Sequence, residues 1–219
     1  MTERGMYLKK FASLLLSLVM MLCLCSCGAI ATPDADDVNQ DVESGAIPLG
    51  VVENNVYRND YFGIRCDLSE HWAFYTEEEI LELNGVASKD SGIDWSNAPI
   101  IYDMCASHQT NYSTININME KLSTLTAATL DIKSYLEPQF ESIKSGLTNM
   151  GYTGVTVEYA KITVDGRQLD GVKVHGVIQG LDFYEVVFCY QKGNYLVNAT
   201  VGTLQTDTTA DVLNTFTLS

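Results

Sequence analysis

The stretch that decides the fold spans residues 155–201 and reads VTVEYAKITVDGRQLDGVKVHGVIQGLDFYEVVFCYQKGNYLVNATV. It holds four strand-like runs rich in β-branched and aromatic residues, and these runs are separated by Asp165-Gly166, Gln179-Gly180 and Lys192-Gly193-Asn194. Glycine and asparagine at such short breaks supply the positive φ angles that hairpin turns require. Strands joined by tight turns must run antiparallel, so the stretch predicts a four-stranded meander.

Two further pairs of strands are predicted before the meander. Residues 51–58 and 61–68 flank Asn59-Asp60, which is typical of a hairpin turn, and residues 99–106 and 114–122 form the second pair. In the last run, apolar residues expected to point inward alternate with polar residues expected to point outward: Ile115, Ile117 and Met119 against Asn116, Asn118 and Glu120. This period of two predicts a half-buried strand.

Three helices complete the predicted elements. Thr76 and Glu79 form a capping box for a helix that Gly85 ends, and a short helix is expected over residues 209–216. The longest helix, over residues 130–150, has apolar residues at steps of three and four, and Pro138 either lies near its start or kinks it. The predicted fold class is therefore α+β, a twisted antiparallel sheet with helices packed on it.

The first 26 residues have the layout of a secretory signal peptide. Arg4, Lys9 and Lys10 precede an apolar run, Phe11–Leu24, whose 14 residues are fewer than the ~20 that cross a bilayer as a helix. The following Leu24-Cys25-Ser26-Cys27 resembles the lipobox of bacterial lipoproteins. That resemblance implies cleavage before Cys27, a diacylglyceryl thioether on its sulfur, and a lipid-anchored position on the extracytoplasmic face of the bacterial cell membrane.

Two other interpretations of this N-terminus remain open. Cleavage before Cys25 would place the bulky Leu24 next to the cut, so Cys27 is preferred. An ordinary cleaved signal would release a soluble product instead. Two acyl chains hold a protein stably at a membrane, whereas one chain binds only marginally.

Residues 27–46 are predicted to be the lipidated cysteine and a disordered acidic tether, because aspartate and glutamate recur there without aromatic residues. Residues 47–219 are expected to form a single globular domain. The formal net charge of the chain is -15, which repels nucleic acid and anionic lipid headgroups. No nucleic-acid partner is expected; the expected partners are the membrane, through the lipid, and a protein or cell-wall component.

Part of the domain resembles a known family. Residues 50–64, GVVENNVYRNDYFGI, and then Trp72-Ala-Phe74, resemble the opening of a lipoprotein family of Gram-positive gut bacteria with a PsbP-like domain. The family usually has proline before the tryptophan, where this chain has His71. The resemblance implies a PsbP-like α/β/α sandwich and, since PsbP-like domains are mostly assembly or binding modules, a binding function by analogy.

The sequence carries no recognisable catalytic or metal-binding motif. His71, His108 and His175 lack paired metal-ligand spacing, and no nucleophile elbow, Walker loop or dinucleotide fingerprint occurs. We therefore expect no enzyme activity, no metal and no cofactor. Three cysteines follow the predicted cleavage site, and they are expected to be buried thiols, with a Cys66–Cys105 bridge as the alternative and Cys189 unassigned.

The candidate binding residues lie in the long loop between Gly85 and Pro99: Asp94, Trp95, Ser96 and Asn97. Loops above ~12 residues without secondary structure are often functional or disordered. Tryptophan is enriched at the energetic centres of interfaces, and its polar neighbours could add hydrogen bonds. The alternative is that Trp95 folds back with Ile93 and closes the edge of the domain.

Three functions are compatible with these patterns. The leading hypothesis is a non-enzymatic surface lipoprotein that binds a protein or cell-wall component. The second is a cell-envelope hydrolase whose site is assembled from distant residues such as Asp94, His108 or Glu185. The third is an accessory subunit beside a membrane transporter or sensor. The missing motifs favour the first over the second.

Overall fold

The computed structural model describes residues 49–85, 95 and 98–219, so the predicted signal peptide, Cys27 and the acidic tether lie outside the described residues. No helix in the described part combines the length and apolar character needed to cross a bilayer. The strands in chain order are β1 (Val51–Glu53), β2 (Val56–Asn59), β3 (Ile64–Asp67), β4 (Trp72–Phe74), β5 (Ile100–His108), β6 (Thr114–Lys121), β7 (Thr153–Val164), β8 (Arg167–Ile178), β9 (Leu181–Lys192), β10 (Tyr195–Leu204) and β11 (Phe216–Leu218).

These strands form two antiparallel sheets. The small sheet has the order β1-β2-β3-β11, and the large sheet has the order β4-β5-β6-β10-β9-β8-β7. The predicted meander is confirmed as β7 to β10, with each hairpin turn two residues long. Together with the helices, the two sheets confirm the α+β class.

The helices are α1 (Glu77–Leu83), α2 (Thr124–Thr129), α3 (Ile132–Leu136), α4 (Phe140–Asn149) and α5 (Thr209–Leu213). The capping box of α1 is confirmed: Thr76 N donates to Glu79 Oε2 at 2.8 Å, and Glu79 N donates to Thr76 Oγ1 at 3.3 Å. The long predicted helix is divided, because a 3₁₀ turn at Glu137–Gln139 containing Pro138 separates α3 from α4. Proline lacks the backbone donor that an uninterrupted helix needs there.

Two predicted boundaries are wrong. The run over residues 51–58 is two strands, because Asn54 and Asn55 take φ angles of 51° and 62° and turn the chain between β1 and β2. The final helix ends at Leu213, and Phe216 instead opens β11, which pairs with β3. The ring centroids of Phe216 and Phe188 lie 5.2 Å apart in an edge-to-face contact. Burial of the Phe216 ring in the core favours a strand over a helix at this position.

The large sheet is covered on both faces. Helices α3 and α4 pack on one face, and the small sheet packs on the other. Asn116 and Asn118 were expected to face solvent, yet they are 1% and 2% exposed, so that expectation is wrong. They lie on the helix-covered face, where Asn118 Nδ2 donates to Asn116 Oδ1 at 3.1 Å and Asn198 Nδ2 donates to Asn118 Oδ1 at 3.2 Å.

Candidate functional site

The predicted binding loop is only partly described. Asp94, Ser96 and Asn97 lie outside the described residues, whereas Trp95 is 5% exposed and belongs to the core between the two sheets. This burial fits the alternative in which the ring closes the edge of the domain. A binding role for the loop stays a prediction.

Two of the residues considered for a hydrolase, His108 and Glu185, are not brought together. Ser107, next to His108, pairs with Thr114, and Glu185 lies a further two strands across the sheet, opposite Gly202. Three strand spacings separate the two positions by about 14 Å. Asp94 is outside the described residues. The described residues also contain no group of three or more potential ligands arranged to hold a metal ion.

The three cysteines of the described part are buried thiols, and no disulfide joins them. Cys66 lies on β3 of the small sheet, and Cys105 lies on β5 of the large sheet, so the alternative Cys66–Cys105 bridge is not formed. Burial raises the pKa of the Cys66 thiol to about 12. A thiol held in its neutral form is a poor nucleophile, so Cys66 is a packing residue.

A cleft of about 480 Å³ opens on the face of the large sheet that the small sheet covers only in part. Strands β7, β8 and β9 form its floor, and α5 forms one wall. The polar side chains that line it include Thr156, Glu158, Lys173, His175, Tyr184 and Asn214. No motif in the sequence marks this group as a site.

The hairpin turns place these side chains side by side. Because Asp165-Gly166 is a two-residue turn, Glu158 lies directly opposite Lys173, and Thr156 lies opposite His175. The next turn, Gln179-Gly180, places His175 opposite Tyr184. Paired residues of adjacent strands point to the same face of a sheet, so all of these residues face the cleft. Counting outward from the turns would have revealed this arrangement in the sequence.

A glycine allows the floor of the cleft to close. A Cβ atom on Gly171 would lie 2.2 Å from the Val187 carbonyl oxygen and 2.6 Å from Ile162 Cγ1. No side chain fits at this position. Because Gly171 has none, Ile162 can lie across β8. The buried Ile162, Val186 and Leu213 then give the polar cleft an apolar base.

The polar groups of the cleft differ in their hydrogen bonds and ion pairs. His175 Nε2 lies 3.2 Å from Asp182 Oδ1, and its ring centroid is 5.0 Å from that of Tyr184. Asp207 accepts hydrogen bonds from the backbone and hydroxyl of Thr209 at the start of α5. By contrast, Glu158 and Lys173 are exposed and form no ion pair with each other or with any other described residue.

A buried carboxylate joins the two sheets. Asp103 is the extra residue of a β-bulge in β5, between Tyr102 and Met104. It accepts hydrogen bonds from Tyr57 Oη at 2.6 Å, Asn59 Nδ2 at 2.7 Å and Gly50 N at 2.7 Å. Burial raises the pKa of Asp103, and these three hydrogen bonds to the carboxylate oppose that rise.

A second buried carboxylate lies on the opposite face of the sheet. Glu185 is 2% exposed, and its Oε1 has no hydrogen-bond partner in the described part of the chain. Burial raises its pKa to about 8, so the carboxyl group is mostly protonated at neutral pH. The buried hydroxyl of Tyr152 also has no partner there, and burial, followed by the nearby charge of Glu185, raises its pKa.

No family model matches the chain, and no curated protein matches it. The similar solved structures include that of LpqN, involved in cell envelope biogenesis of Mycobacterium tuberculosis, which is 9% identical, with a TM-score of 0.39, 71% of this chain covered and 83% of that one. A protein of unknown function, PA94 from Pseudomonas aeruginosa, is 10% identical with a TM-score of 0.27, over 61% of this chain and 83% of that one. At these TM-scores neither likeness carries an argument about function.

Proposed function

We propose that this chain is a lipid-anchored extracytoplasmic protein whose domain binds a small ligand, without chemical conversion, in the cleft formed by β7, β8, β9 and α5. The observation that carries the proposal is the cleft itself, of about 480 Å³. Pockets for small molecules have volumes of ~300–1,000 Å³ and combine apolar surface with a few convergent polar groups. The volume of this cleft lies in that range and its base is apolar, while polar groups form the larger part of its accessible lining.

The contacts within the cleft favour binding over catalysis. Nucleophilic catalysis by a hydroxyl or thiol needs an adjacent base within hydrogen-bond reach. His175 contacts Asp182, and no hydroxyl or thiol of the described lining is hydrogen-bonded to it. The hydroxyl of Thr209 is committed to Asp207 at 2.6 Å. This set of residues is suited to recognising a ligand.

The lipid anchor rests on Leu24-Cys25-Ser26-Cys27. Cys27→Ala should abolish incorporation of labelled palmitate and leave the signal peptide uncleaved, because the acylated sulfur is removed. Cys25→Ala is the matched control, and it should keep both the label and the cleavage. Palmitate incorporated into the Cys27→Ala chain would contradict the anchor.

The cleft is tested with the full-length chain in detergent. Ala210 lines the cleft from α5, and Asp211, its exposed neighbour, does not. We expect at least one compound from a panel of amino acids, di- and tripeptides and oligosaccharides to bind, as measured by saturation-transfer NMR. Ala210→Trp should fill the cleft and abolish that binding, while Asp211→Trp should preserve it. A panel without a binder, or binding that survives Ala210→Trp, would refute the proposed site.

A further inference from the structure

Glu158 and Lys173 are an unusual feature of the cleft. They lie directly opposite each other on β7 and β8, both are exposed, and no ion pair joins them. Opposite charges in this relation normally attract and contribute to strand pairing. Here the carboxylate and the ammonium remain open to solvent at the same level of the cleft, and each can accept a group of opposite charge from a ligand.

The spacing of the two residues limits which ligand can meet both. Directly opposite residues have Cβ atoms ~4.5–5.5 Å apart, so the two charged groups serve ligand charges that are close together. An α-amino acid carries its ammonium and carboxylate on a single carbon. The ammonium would meet Glu158, and the carboxylate would meet Lys173. Such a zwitterion has no net charge, so it is not repelled by a chain with a formal net charge of -15.

The remaining surface of the cleft indicates which kind of ligand side chain it can bind. Its base is formed by Ile162, Val186 and Leu213, which are apolar, and its far side by the rings of His175 and Tyr184, which are tilted at 43° to each other. A cleft of about 480 Å³ leaves space beyond the two charges for a large group. An apolar or aromatic side chain would bury its surface there, and burial of apolar surface stabilises a complex.

We infer that the cleft binds the zwitterion of an α-amino acid with a large apolar or aromatic side chain, with Glu158 holding the ammonium and Lys173 the carboxylate. This inference rests on the proposed function of the cleft as a binding site. It names the class of ligand and the two residues that select it.

The probe is L-phenylalanine, titrated calorimetrically into the full-length chain in detergent and compared with N-acetylphenylalanine and phenylalanine amide. Each blocked compound lacks one charge, so each should bind about tenfold more weakly, which corresponds to one charge-assisted hydrogen bond. Glu158→Gln should weaken phenylalanine by a similar factor and should bind phenylalanine and N-acetylphenylalanine equally well. Lys173→Gln should do the same for phenylalanine and its amide.

The control variants are Glu141→Gln and Lys144→Gln, which change the same charges on exposed positions of α4, across the large sheet from the cleft. They should leave all three affinities unchanged. If phenylalanine and its blocked forms bind equally and Ala210→Trp abolishes all three, the zwitterion is refuted while the cleft stands. If peptides or oligosaccharides bind and phenylalanine does not, the ligand class is refuted. If nothing in the panel binds, the proposed function fails with it.

Discussion

Asp103 and Glu185 are both buried carboxyl groups of the large sheet, and their surroundings differ. Asp103 is 7% exposed and accepts three hydrogen bonds, whereas Glu185 is 2% exposed and its Oε1 has no partner among the described residues. Burial disfavours the charged form in both, yet only Asp103 has donors that favour it. The comparison teaches that one buried carboxyl group can join two sheets through three hydrogen bonds, while another keeps an oxygen without a partner among the described residues and has its pKa raised to about 8.

The largest expected effect is at Asp103. Asp103→Ala removes the acceptor that Tyr57 Oη, Asn59 Nδ2 and Gly50 N share, and this should lower the free energy of unfolding by about 3–5 kcal/mol. Urea denaturation at neutral pH measures the loss. The exposed Asp60, paired with Arg58 at 3.2 Å, is the control, and Asp60→Ala should cost less than about 1 kcal/mol. Equal losses in the two variants would mean that Asp103 does not join the sheets.

Glu185 should make stability depend on pH in the opposite sense to a salt-bridged carboxylate. Its pKa is raised from 4.5 to about 8, so between these values the native state keeps a proton that the unfolded chain releases. The stabilisation is therefore complete below pH 4.5 and is lost as the pH rises towards 8. Glu185→Gln should remove this dependence, which amounts to roughly 2–4 kcal/mol.

The measurement for Glu185 is a series of denaturation curves from pH 5 to pH 8.5. Subtracting the variant from the native chain cancels the other titrating groups. We expect the two proteins to be similarly stable at pH 5 and the variant to be the more stable at pH 8.5. A constant difference across this range would show that Glu185 ionises at an ordinary pH.

The smallest effects should come from the two tyrosines beside these carboxyl groups. Tyr57→Phe removes a 2.6 Å hydrogen bond to Asp103 and should cost about 1–2 kcal/mol. Tyr152→Phe removes a buried hydroxyl without a partner in the described part of the chain, so it should change stability by less than about 0.5 kcal/mol or increase it. Melting temperatures of the two variants compare them directly. A larger loss at Tyr152 would show that its hydroxyl is hydrogen-bonded.

The elements that the sequence predicted are those whose signal is local. The hairpin turns from Asp165 to Asn194 set the meander, and the capping box of Thr76 set the start of α1. Strand β11 has only three residues, too few for an alternating pattern, and its partner β3 is far away in sequence. Pairing between strands so far apart in sequence depends on the tertiary structure. The covering of the two faces of the large sheet by other layers depends on it as well.

The same limit explains what was missed at the candidate site. The alternation of Asn116 and Asn118 with apolar neighbours predicts one buried and one solvated face, because a second layer leaves no signal in the strand itself. The bulge at Asp103 adds one residue to β5, and alternation alone cannot locate it. The cleft residues Glu158 and Lys173 could have been paired from the turn, but the apolar base from α5 could not.

The pairing of β3 with β11 also governs the order in which the domain can assemble. Cys66 and Thr215 lie 3.3 Å apart through their side chains and are separated by 149 positions in sequence. Closing a loop of that length has a large entropic cost before any contact repays it, and such topologies fold slowly. The meander and the strands β1 to β3 have only short loops and can form early, whereas the small sheet is complete only after β11 reaches β3. We therefore expect a late kinetic step in which the two sheets dock.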